Sequence, residues 1–172
     1  MAYLYVLGAI VIRLLPHPWN FTPLGAMFLF SGASFGRKRE SLLVPLAALL
    51  LSDFAVIHFL HGGKYGWISP WTWAAFLLIG LIGWTLRDRL GFARVAGASI
   101  AGSVTFFLIT NFGVWVSWRL YPATWAGLGE CYVAALPFFR NTLLGDLFYV
   151  ALLFGSYEWL RRRRTALAAA AR

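Results

Sequence analysis

Cysteine, acidic residues and catalytic signatures are all scarce in this chain, and each scarcity removes a class of protein. Cys131 is the only cysteine, so an intramolecular disulfide, a cysteine cluster for zinc or iron–sulfur, and a dithiol redox mechanism are excluded. Charge is thin: 12% of the residues are charged and only 6 are acidic, against about 25% charged in soluble domains. No H-E-x-x-H, G-x-S-x-G, Walker loop or paired-carboxylate motif occurs, so enzyme activity has no signature to rest on. Nor does a series of ionisable groups run from one side to the other, which argues against a proton pump or an autonomous ion channel.

What fills the chain instead is apolar. Of the 172 residues, 60% are hydrophobic, more than a soluble fold of this size can hide, because a domain of roughly 150 residues buries only about 70% of its unfolded surface. Lipid resolves the excess. The net charge of +9 sits in short clusters between the apolar runs: Arg37-Lys38-Arg39, Arg87/Arg89/Arg94 and Arg161 to Arg164. That placement belongs to membrane topology and not to a phosphate-binding face, so nucleic acid is not an expected partner.

A spanning helix needs about 20 apolar residues. Six candidates fit, over residues 2–15, 24–36, 41–60, 71–86, 95–118 and 141–160. The first two are short, and the Pro16-His17-Pro18-Trp19 segment between them is expected to dip into the protein. The N-terminus lacks a basic region and a cleavage site, so its first apolar run is expected to stay as a helix. The expected fold is an all-α integral membrane protein: a bundle of six transmembrane helices over residues 1–164 with both termini cytoplasmic, then an Ala-rich cytoplasmic tail, 165–172, that frays. With six crossings the basic clusters share one side, leaving Lys64, Arg119 and Arg140 opposite them, as the positive-inside rule requires of cytoplasmic loops. Trp19, Trp67, Trp71, Trp73, Trp115, Trp118, Tyr121 and Trp125 gather towards the other side, as interfacial aromatics do. Small residues at four-residue spacing, Gly32/Gly36, Ala48/Ser52 and Ala98/Gly102, permit close helix approach.

Polar groups inside spans are costly and need a partner or a cavity. Arg13, Asp53, Asn111 and Asp146 are placed to converge on an outward-facing pocket, with Asp146 about one turn into the last helix. The outer loops add His17, Trp19, Asn20 and Thr22, then His58, His61 and Lys64, then a long loop from Arg119 to Arg140. Plainer roles exist for each. Arg13 with Asp53 or Asp146 makes a structural ion pair; Asn20 or Thr22 caps helix two, with Pro23 in its first turn. His58 and His61 lack a nearby third metal ligand, so no metal site is expected. Cys131 reads as a small hydrophobe.

The stretch from Arg13 to Met27, RLLPHPWNFTPLGAM, with Val44-Pro-Leu and Leu51-Ser-Asp53, resembles an uncharacterised family of small bacterial membrane proteins. Phe106 to Trp115, Tyr121-Pro and Cys131 through Asp146 continue that resemblance. More broadly, six helices with a Gly-rich helix two and an Asp closing helix three resemble the substrate-binding components of energy-coupling-factor vitamin transporters. That resemblance implies a vitamin or micronutrient bound near the outer face. It also implies a partner module of membrane scaffold and two ATPases, in the bacterial cytoplasmic (inner) membrane. Helix one departs from the pattern, because Ala9 is followed four residues on by Arg13 and not by a small docking residue.

The expected function is therefore a small-molecule-binding membrane component of an uptake transporter. Its pocket is expected to be lined by Asn20, Asp53, His58, Asn111, Trp115, Arg119 and Asp146, with aromatic walls. Arg119 or Arg140 is expected to pair with an acidic group on the cargo. No cofactor is required; for a corrinoid cargo, His58, His61 or Cys131 are the candidate cobalt ligands. The alternatives are an accessory or scaffold subunit of a larger membrane assembly, or a membrane enzyme acting on a lipid or quinone with Asp53 or a histidine as base.

Overall fold

A computed structural model describes residues 2–60, 69–88 and 90–170. The described residues form helices and no strand. These are α1 (Ala2–Leu14), α2 (Leu24–Ser34), α3 (Lys38–Ala55) with a π-helical turn Val56–Leu60, α4 (Pro70–Trp84), α5 (Phe92–Trp118) and α6 (Trp125–Ala170). Prolines punctuate them. Pro16 disfavours a helical Leu15 and so ends α1, Pro23 directly precedes α2, and Pro70 opens α4, where Ser69 accepts a hydrogen bond from the Trp71 amide.

Six membrane-spanning helices were expected; the described residues form six helices, of which three are long and apolar enough to cross a membrane: the α3 rod to Phe59, α5 and α6. With 13, 11 and 15 residues, α1, α2 and α4 reach only about 20, 16 and 22 Å, short of a hydrocarbon core of about 30 Å. Large side chains such as Leu43, Leu51, Leu108, Val133 and Phe148 point outwards, as the surface of a helical protein in lipid does.

The expected boundaries fail at the last helix. No long loop runs from Arg119 to Arg140, because α6 begins at Trp125 and continues through Pro137 for 46 residues, roughly 70 Å. Glu130, Pro137 and Arg140 interrupt the apolar run here and so mask the helix in the sequence. Burial decides otherwise: Gly127, Cys131 and Ala135, at four-residue spacing, form a buried stripe. The Cys131 thiol donates to the Asn111 carbonyl (3.4 Å) and the Tyr132 hydroxyl to that of Leu108 (2.8 Å). Asp146 is thus about 30 Å into its helix, not one turn. Residues 165–170, expected to fray, prolong α6 as exposed helix.

Helix α2 is the core. Every residue from Leu24 to Gly32 is buried, and α1, α3, α4, α5 and α6 all pack on it. A short helix that is apolar all round belongs inside a bundle. Its backbone touches that of α4: a Cβ on Gly32 would collide with the Gly80 carbonyl and lie 2.9 Å from Gly83 Cα. Small residues permit that approach, though Gly32 meets Gly80 and Gly83, while Gly36 faces open space. Phe28 stacks on Phe76 at 5.2 Å.

Helices α1 and α2 form a hairpin with both ends at one end of the bundle. Tyr3 packs on Phe35 at 4.6 Å and its hydroxyl donates to Glu40 (2.5 Å), while Arg87 Nε donates to the Gly32 carbonyl (2.8 Å). At the tip, Asn141 Nδ2 donates to the Trp19 carbonyl (3.1 Å), and a Cβ on Gly145 would lie 3.1 Å from Phe21 Cα. Beyond the tip α5 and α6 continue side by side, with Phe107 and Phe139 rings 4.8 Å apart. The start of α4 accompanies them, its Trp71 Nε1 donating to Ser117 Oγ (3.0 Å). The hairpin therefore stops near the midpoint of α5.

Candidate functional site

Arg13 has two acids to choose from in the sequence, and the fold gives it Asp53. Its Nη2 lies 2.5 Å from Asp53 Oδ1 and its Nη1 bonds Ser52 Oγ. The Asp53 side chain is fully buried and that of Arg13 is 9% exposed. Asp53, expected to line the pocket, lines neither cleft described below; it is half of a buried ion pair, the plainer of its two expected roles.

Asp146 takes the other course. It is 5% exposed and lies at the hairpin tip, where the Ser103 hydroxyl donates to its Oδ2 at 2.7 Å. Ser103 is near the midpoint of α5. On the opposite side, a Cβ on Gly25 would collide with Asp146 Oδ1 and lie 2.9 Å from Cγ. Gly25, in the first turn of α2, thus lets the carboxylate lie against the helix backbone, near the positive end of the helix dipole.

A cleft of about 160 Å³ opens here, lined by Asn20, Thr22, Leu24, Gly25, Thr72, Phe76, Ile79, Phe106, Thr142 and Asp146. A second, of about 120 Å³, adjoins it through Asn20, Phe106 and Thr142 and reaches Phe107, Thr110, Asn111 and Phe139. Asn20, Asn111 and Asp146, three of the expected lining residues, come together around this pair of clefts. Asn20 adopts a positive φ of 58°, which asparagine tolerates better than most residues. It caps nothing: the residue before α2 is Pro23, and no side chain caps that helix.

The other expected residues lie elsewhere. His58 is exposed, stacked on Phe54 at 4.2 Å, with Nδ1 3.0 Å from the Phe54 carbonyl. Trp115 donates from Nε1 to the Pro122 carbonyl (2.9 Å). Arg119 ends α5 in a left-handed conformation (φ 51°), and both it and Arg140 are exposed and outside both clefts. Trp115 and Arg119 share a reason: with α6 starting at Trp125, the turn after α5 lies a dozen or so residues, about 20 Å, beyond the hairpin tip. Arg140, next to Asn141 at the tip, and His58, on the turn that ends α3, are on outer faces of their helices. Cys131 is buried against α5. His61 and Lys64 fall outside the described residues, among which no cluster of metal-ligating side chains occurs.

Sequence reasoning missed Thr72, Thr142, Ser103, Phe76 and Phe106. Hydroxyls and phenylalanines are ordinary in apolar helices, and Thr72 reaches the cleft only because α4 lies against α2. Thr142 carried a faint signal, being one turn before Asp146 on the same helix face.

The chain belongs to a family whose model, described as a family of unknown function (DUF6580), matches residues 1–168. No curated protein and no solved structure matches it.

Proposed function

We propose that this member of the DUF6580 family is the small-molecule-binding component of an uptake system in the bacterial cytoplasmic membrane, taking a vitamin-like or micronutrient cargo. The observation that carries this reading is the cleft at the hairpin tip. It is a concave site with aromatic and aliphatic walls, a few neutral polar groups and one buried carboxylate, the usual make-up of a small-ligand pocket. An ionisable group in such a place is a functional candidate by default.

In this reading α1 and α2 are a re-entrant hairpin whose non-helical tip, Leu15 to Pro23, is tolerated at depth because it lines a cavity. A hairpin that enters and leaves on one side does not change the parity of crossings. The basic ends around Arg37, Arg94 and Arg161 therefore remain together in the cytoplasm, as six full crossings also required. The cleft then sits near mid-membrane, where transporters hold their cargo between broken or short helices. The likeness to energy-coupling-factor substrate components supports the same role, and an energising scaffold with ATPase subunits is the partner it implies.

The test is native mass spectrometry of the protein purified in mild detergent. The expected result is a copurifying small organic molecule. It is lost in Thr142→Trp, which fills the wall common to both clefts, while the unfolding temperature stays within a few degrees of wild type. A chain that carries no small molecule, is stabilised by none of a vitamin panel and copurifies with a membrane partner is an accessory subunit instead.

A further inference from the structure

Resting on the reading of this cleft as a cargo site, we infer that the cargo bears a positive charge, an organic ammonium group seated against Asp146. The sequence alone favoured the opposite, an acidic group held by Arg119 or Arg140.

The two buried acids differ in their partners. Asp53 has a guanidinium at 2.5 Å. Asp146 is as deeply placed, yet among the described residues no Lys, Arg or His lies within salt-bridge distance of it. Its side-chain partner is the neutral Ser103. Of the residues lining either cleft, Asp146 is the sole acidic or basic one. Burying a carboxylate without a counter-charge is costly. The positive end of α2, brought close by Gly25, offsets part of that cost, and a cation in the cleft would offset the rest.

The walls suit a cation as well. Phe76 and Phe106, their centroids 4.9 Å apart, line the same cleft, and aromatic faces attract ammonium groups. Asn20, Thr22, Thr72 and Thr142 supply neutral donors and acceptors for the rest of the molecule. An anion would meet the carboxylate with no cation in reach. Size narrows the class further: an apolar cavity of about 150 Å³ accommodates one benzene, so the first cleft takes a fragment of one ring and the second leaves room to extend it.

The probes are phenethylammonium, 2-phenylethanol and 3-phenylpropanoate, which present a cation, a neutral group and an anion on the same phenylethyl body. Binding is measured by titration calorimetry on the purified full chain, freed of copurified ligand. The expected result is phenethylammonium binding at least about tenfold tighter than the alcohol, with the anion weakest. Asp146→Asn should weaken the cation by about thirtyfold or more, as loss of one partner of a buried charge pair does. Equal or tighter binding of the alcohol or the anion overturns the charge assignment. If Thr142→Trp then abolishes that binding, the cargo site itself still stands. Absence of binding by all three also overturns the inference, while the copurifying molecule judges the cargo site independently. The ranking within wild type decides the charge class even if Asp146→Asn does not fold. Cation binding that survives both substitutions places it outside the cleft and refutes the proposal.

Discussion

Removing one partner of the Arg13–Asp53 pair gives the most direct measure of how this fold assigns its charges. Both side chains are inside the protein, at 9% and 0% exposure, so the survivor of a single substitution has no water to turn to. Breaking a buried pair costs about 3–5 kcal/mol, whereas replacing both partners by apolar groups of similar volume is near neutral. Asp53→Asn and Arg13→Met should therefore each cost about 3 kcal/mol, and Arg13→Met with Asp53→Leu much less than their sum. Ser52, which also bonds Arg13, softens the first loss, because its hydroxyl stays in place for the guanidinium. The assay is reversible unfolding in mixed micelles followed by tryptophan fluorescence, arranged as a double-mutant cycle. The Arg13–Asp53 coupling should be at least about 2 kcal/mol, while Arg13→Met with Asp146→Asn should be additive within about 0.5 kcal/mol, since the two share no partner. An Asp53→Asn loss below about 1 kcal/mol, or a strong Arg13–Asp146 coupling, refutes the assignment and with it the free carboxylate in the cleft.

Three further outcomes are expected. Gly32→Ala forces a Cβ into the Gly80 carbonyl, and backbone cannot give way as a side chain can, so it should cost about 3 kcal/mol of unfolding free energy; Gly155→Ala, with open space around it, should cost nothing measurable. Gly25→Ala pushes directly on the Asp146 carboxylate and should lower cargo affinity at least about tenfold for a stability loss of about 1–3 kcal/mol, read by calorimetry and thermal unfolding together. In a Cys131→Ser background, single cysteines at Arg37, Arg94 and Thr165 should react with an impermeant maleimide from the cytoplasmic side and one at Arg119 from the opposite side; Arg119 labelling with the others contradicts the orientation.

Much of the fold was legible because the bilayer tolerates so few solutions. The apolar runs that give α1 to α5 begin and end within a few residues of the expected positions, marked by Pro16, Pro23 and Pro70 and by the basic clusters. The last helix was not, because Glu130, Pro137 and Arg140 look like loop residues until α5 is laid beside them and Gly127, Cys131 and Ala135 become a packing stripe. The candidate site was legible in part. Asn111 and Asp146 stood out as polar residues in apolar spans and Asn20 as a residue of the first outer loop, and the three do converge. His58 and Arg119, as outer-loop residues, and Trp115, as an aromatic near the same side, were grouped with them by side alone and do not, since sidedness carries no information on depth or on the face a side chain takes.

Composition and charge order, read along the chain, determined that this is a helical protein with membrane-like spans, because hydrophobicity and positive charge are local properties of a segment. Which acid receives Arg13 is not local. Asp53 and Asp146 are equivalent in sequence, each a lone carboxylate in an apolar run, and only the packing of α1 beside α3, with α2 buried among the rest, puts a guanidinium on one and an open cleft on the other. That choice belongs to the tertiary structure because a buried charge is stabilised or not by what lies within a few ångströms of it, and the groups that lie there come from helices far apart in the chain.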